Sequence, residues 1–142
     1  GLEASVADTR AARLIQEMRD AFGDAEVAGW EPLDGTYGLP DPDDEHVVAA
    51  AHLAGAGVIV TSNVKDFPAG QLPDGIDAIP PHQFALDTTA LNPALALLAI
   101  TTIADRSGVH ARRRAPAEII EDLESRYGMH EAMALIRDTT SR

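Results

Sequence analysis

Cysteine is absent from this chain, which excludes disulfide bonds and thiolate metal ligands. Aromatic residues make up only 4% of the sequence, so a core has to be built from Ala, Val, Leu and Ile. No apolar run approaches the roughly 18 residues needed to cross a bilayer as a helix. The opening GLEASVADTR has no basic stretch leading into an apolar one, so no secretory signal is expected. Together with the missing cysteines this gives a cytoplasmic expectation. Basic residues are scarce as well. Residues 1–90 carry 16 acids against 4 bases, whereas residues 91–142 carry 7 of each. A chain that grips polyanions through charge shows a basic footprint. Here the only dense one is Arg112-Arg113-Arg114. Unspecific nucleic-acid binding is therefore disfavoured, and a cation site or a basic protein partner fits the charge better.

What remains is 142 residues of 45% hydrophobic content, enough for one domain with an appendage. The spacing of Leu14, Ile15, Met18 and Phe22 predicts a helix over 7–22, with Gly23 as its stop. Residues 25–33 (AEVAGWEPL) read as a short strand ended by Pro32. Asp41 is a candidate N-cap, Pro42 suits a first helical position, and Asp44 stands where a capping-box acid would. That helix is expected to run to about Ala54 and to pack through Val47, Ala50, Ala51 and Ala54. Val58 to Thr61 follows as a short apolar strand, expected to be central and buried in a parallel sheet. Residues 76–79 are a candidate edge strand. Beyond His82 the pattern is helical, with helices expected at 82–88, 92–106, 116–127 and 129–138.

The most informative stretch is LPDPDDEHVVAAAHLAGAGVIVTSNVKDFP, residues 39–68. Asp41, Asp43, Asp44 and Glu45 crowd a helix start, and Asn63 and Asp66 follow a strand end. Open α/β sheets bind ligands at such strand ends. Hard oxygen ligands there suit Mg²⁺ or Mn²⁺, ions that serve phosphate chemistry. Acids also favour a helix N-terminus for its dipole alone. An EF-hand loop counted from Asp41 fails, because His46 stands where its glycine belongs and His52 where its glutamate belongs. His46 and His52 are six apart, which is not zinc spacing, and Gly55 and Gly57 precede a strand rather than a helix, which rules out a phosphate-cradling loop.

Asp44, Val47 and Ala49-Ala50 fit a D-x-x-[IV]-x-A-A helix start. Thr61, Asn63, Asp66 and Phe67 fit a strand ending in T-x-[ND]-x-x-D-F. On these residues the chain resembles the C-terminal half of a PIN domain, the fold of VapC-type toxin ribonucleases, specifically over 39–68 and loosely over 10–85. The resemblance implies an α/β fold with a parallel sheet flanked by helices over residues 1–82, lacking its first strand and helix, and a C-terminal helical extension over 83–142. In that family an N-terminal strand supplies an Asp and an early helix a Glu. No apolar strand bearing an Asp precedes Ala7, and Glu3 and Asp8 follow no strand-like run.

The resemblance further implies a metal-dependent ribonuclease of a toxin–antitoxin pair, inactive as this stretch alone. Asp44, Asp66 and Asn63 would be catalytic, with Asp44 and Asp66 holding Mg²⁺ or Mn²⁺ and Asp43 and Thr61 supporting them. The implied partners are an RNA substrate, an antitoxin with a basic segment, and either the missing N-terminal half or a second copy, with no membrane. The alternative is a non-catalytic acidic module that binds a basic protein. A helical DNA-binding accessory built on Arg112 to Arg114 has less support, because the helices around it are acidic.

Overall fold

The computed structural model describes residues 2–142, without the side chain of Leu2; Gly1, the first residue of the expected 1–82 unit, lies outside the described residues. The chain is mixed α/β and mostly helical, with six α-helices and one two-stranded parallel sheet among the described residues.

The first helix, α1, spans Leu2–Ala21. It is rich in good helix formers and laced by same-face pairs, Arg13 to Glu17 at 2.9 Å and Gln16 to Asp20 at 2.8 Å. Every described side chain on it is exposed, including Val6, Leu14, Ile15 and Met18. Its apolar stripe is therefore left largely uncovered by the described residues. Residues 25–30 form no strand, and residues 31–33 form a 3₁₀ turn, Glu31–Leu33. The expected strand fails because Pro32 cannot donate to a ladder and no neighbouring strand is at hand to pair with.

Asp41 does cap, but it caps a 3₁₀ turn, Pro42–Asp44, by accepting from the Asp43 N–H at 2.9 Å. The second helix, α2, starts later than expected and spans Glu45–Leu53. Asp44 is its N-cap residue yet makes no side-chain capping bond, so the expected capping box is not formed. The buried stripe of α2 is Glu45, Val48 and Ala49, one residue out of phase with the expected Val47, Ala50, Ala51 and Ala54. Val47 and Ala51 still line the core from its side, while Ala54 is exposed. Gly55 ends the helix at φ +69°, a conformation that favours glycine.

Strand β1, Val58–Val60, pairs in parallel with β2, Asp77–Ile79, in the register Val58 to Asp77, Ile59 to Ala78 and Val60 to Ile79. The expectation of a central, buried strand is corrected here. Ile59 is buried against α2, but Val58 and Val60 are 38% and 43% exposed on the other face. The ladder continues through Asp77 N–H to Gly57 O and Thr61 N–H to Ile79 O. The alternate peptide groups of β1 point to its far edge, where no strand stands among the described residues. Thus one face of the sheet is covered, by Leu39, Val48, Phe67 and Ile76 around Ile59, and the other is bare.

Four helices complete the chain: α3, Pro81–Leu91; α4, Pro93–Ser107; α5, Pro116–Tyr127; and α6, His130–Thr140. Three of them begin at a proline, whose fixed φ suits a first helical position. The Asn92 side chain caps α4 by accepting from the Leu95 N–H at 3.1 Å. Gly128, at φ +65°, closes α5 and turns the chain into α6. These helices enclose a core of their own, formed by Ile100, Ala104, Ile119, Ile120, Ala132, Met133 and Ile136. No single helix among the described residues is long and apolar enough to cross a membrane.

Candidate functional site

The edge of interest is built by two local features. The chain enters α2 through the Asp41-capped turn, which sets Asp44 at the helix N-cap. It leaves β1 into a third 3₁₀ turn, Val64–Asp66, in which Asp66 N–H donates to Asn63 O at 2.9 Å. Thr61 Oγ1 accepts from the Asn63 N–H at 3.1 Å, so the hydroxyl ties the strand end to the turn that carries Asp66. The Asn63 side chain makes no capping bond there.

Electrostatics link the two features. Desolvation raises the Asp44 carboxyl above its ordinary value, and the charges of Asp41 and then Asp66 raise it further. Asp43 adds to this least, and His46 opposes it. The charge of Asp66 thus reaches Asp44 from the turn that follows β1. Among the described residues no three His, Cys, Asp or Glu side chains are grouped so as to hold a metal ion. The donor set is right in kind for Mg²⁺ or Mn²⁺, which bind through one or two carboxylates and keep several waters.

Two features beside this edge carry no signal in the periodicity. Glu45 is 3% exposed although it belongs to an acidic run. Its Oε1 accepts from the N–H groups of Gly38 (2.9 Å) and Leu39 (3.4 Å), pinning the incoming loop to the start of α2. Its Oε2 is buried with no hydrogen-bond partner among the described residues. A carboxylate placed next to a Pro-Asp turn and a Gly-Leu loop was the available hint, since such loops leave backbone donors to satisfy. The second feature is aromatic. Trp30 meets His46 with ring centroids 5.9 Å apart and planes tilted by 51°. Tyr37 meets His52 edge-on, with centroids also 5.9 Å apart and planes at 67°, and shares a hydrogen bond with its Nδ1 at 2.9 Å. Each histidine lies on α2 and each partner ring flanks the Glu31–Leu33 turn, so two ring pairs bridge the loop to the helix.

The basic run is exposed but ion-paired. Arg112 pairs with Glu118 at 3.2 Å and Arg113 with Asp105 at 2.8 Å, while Arg114 pairs with Asp122. The Arg114 N–H also donates to Ser107 Oγ at 2.8 Å. The three arginines tie the α4–α5 loop to its flanking helices. No protein-family model, curated protein or solved structure matches the chain.

Proposed function

We propose that the Asp44–Asp66 edge is the metal-binding edge of an Mg²⁺- or Mn²⁺-dependent endoribonuclease of the PIN type, acting as the toxin of a VapBC-type pair. What supports this reading is the position of Asp44 at the N-cap of α2 and of Asp66 in the turn after β1, with the Asp66 charge contributing to the rise of the Asp44 carboxyl. Asp44 and Asp66 would hold the ion. When bound, it would acidify a water and offset charge on the scissile phosphate. Asn63 would orient that water or a phosphate oxygen. Thr61 fixes the turn bearing Asp66, and Asp43 would hold an outer water.

Two carboxylates are a sparse set, so further acids from another segment, an N-terminal half or a second copy, belong to the active form. The free edge of β1 and the bare apolar stripe of α1 support such an association. An antitoxin with a basic segment would cover the acidic rim.

The second reading is a non-catalytic acidic module for a basic partner. It draws on the absence, among the described residues, of a third metal-ligating side chain beside the first two. One experiment separates the two readings. Mn²⁺ is expected to raise the thermal midpoint of this chain, and Asp44→Asn and Asp66→Asn each to abolish the rise. The same substitutions are expected to abolish Mg²⁺-dependent RNA cleavage once the remaining acids are supplied in the associated form, followed by sedimentation. Cleavage unchanged in both variants would reject the nuclease reading. An unmoved midpoint with Mn²⁺ together with tight binding of an arginine-rich peptide would favour the acidic module.

A further inference from the structure

We propose that Trp30 and His46 form a stacking platform for an unpaired nucleobase at the lip of the Asp44 site. The inference rests on the reading of that edge as RNA-cleaving and names the form of RNA it takes. Trp30 is the only tryptophan of the chain. It is half-buried at the entrance to the Glu31–Leu33 turn, and His46 is exposed on the first turn of α2. Neither ring belongs to the hydrophobic cluster under α2, whose aromatic members are Phe67 and Tyr37. The pair is thus not explained by the core. It stands next to the candidate chemistry, since His46 is on the first turn of α2 and Asp44 is the N-cap of that helix.

Charge decides what such a pair would recognise. Between Arg19 and Arg106 the only Lys or Arg is Lys65, against twelve acids from Asp24 to Asp87, with Asp20 and Asp105 besides. A phosphate backbone meets almost no cation from this part of the chain, so phosphate contacts with it cannot supply the affinity that they give to basic nucleic-acid binders. Stacking on a ring works without charge and is open only to bases outside a duplex. A tryptophan tilted against an exposed imidazole offers an apolar face and a ring edge to one such base. His46 lies two residues beyond Asp44, so a base held there stands beside that carboxylate.

The single tryptophan makes the test direct. The full chain carrying Asp66→Asn, which leaves the Asp44–His46 neighbourhood in place, is titrated with oligouridine RNA, oligothymidine DNA and an RNA duplex while Trp30 emission is followed. Saturable quenching by the single strands and none by the duplex is expected, with only a shallow dependence on salt. In the same background His46→Ala is expected to weaken binding by about 5- to 100-fold, the span of one lost base–ring stack. Trp30→Phe, read by anisotropy of labelled RNA, is expected to retain part of the affinity because a ring remains. Equal quenching by DNA supports the platform, since the base is the shared chemistry. Absent quenching, quenching by duplex as strong as by single strands, or unchanged affinity in His46→Ala overturns it. Cleavage without quenching would sink the platform and leave the nuclease standing. Quenching with no cleavage by the associated form would do the reverse.

Discussion

Two neighbouring carboxylates, Asp44 and Glu45, play opposite parts. Asp44 is held above its ordinary value by desolvation and then by Asp41 and Asp66. An acid with a raised folded-state pKa binds its proton more tightly folded than unfolded. Stability therefore falls as pH rises from the ordinary value through the raised one, and the penalty persists above it. Asp44→Asn removes that penalty. Its thermal midpoint is expected above wild type at neutral pH, with the gain shrinking to nothing as pH falls below the ordinary carboxylate range. A gain that does not change with pH would show that charge is not its origin. Glu45 instead stabilises, since its Oε1 satisfies two loop N–H groups in a buried place. Glu45→Ala would leave both unmet, at a cost of about 1–3 kcal/mol. Glu45→Gln keeps an acceptor oxygen and is expected to lie closer to wild type in urea midpoint. The reverse order of the two variants would deny the staple.

At the scale of elements, the four C-terminal helices were legible because their boundaries are written in local chemistry. Pro81, Pro93 and Pro116 open three of them, Asn92 caps one, and Gly128 ends another. Strand β2 was legible from its apolar ends and the Pro80-Pro81 stop. The misread elements are those whose outcome depends on distant residues. Residues 25–33 have strand-like composition but no partner strand, and Pro32 ends the question. The phase of α2 was misread because small apolar residues marked 47, 50, 51 and 54 as the inner face. A buried glutamate at 45 moved that face to 45, 48 and 49. Nothing periodic announces that a charged side chain goes inside to bond loop amides. Three residues of β1 are too short to reveal whether both faces are covered, and only Ile59 is. At the candidate site, Asp44 and Asp66 were suggested by motif, whereas Trp30 lay in a misassigned strand and His46 gave no spacing signal. The arginine run was legible as charge but not as a clamp, since its acids Asp105, Glu118 and Asp122 lie on two different helices.

Over the whole molecule, apolar burial is divided between two clusters that share no residue. One gathers Leu39, Val48, Ile59, Phe67 and Ile76 between α2 and the sheet, and the other fills the four-helix C-terminal part. The first is small, carries the acidic edge, and leaves half of its sheet and all of α1 uncovered. The second is larger, and its outer ties include the pairing of Arg137 on α6 with Glu124 on α5. A core with one bare face has less to lose on opening, so the two parts are expected to unfold separately, the acidic part first. Two probes read them apart. Trp30 emission reports the α2 side, and far-ultraviolet circular dichroism is dominated by the helices. Ile59→Ala and Ile136→Ala each remove a buried isoleucine, at about 2–5 kcal/mol. Ile59→Ala is expected to lower the urea midpoint of Trp30 emission and to leave most of the dichroism transition in place. Ile136→Ala is expected to lower the dichroism midpoint with little change in emission. If either substitution moves both transitions together, the two clusters behave as one cooperative core. Binding of Mn²⁺ at the Asp44–Asp66 edge would then stabilise the helical part as strongly as the sheet, whereas separate cores confine the gain to the emission transition.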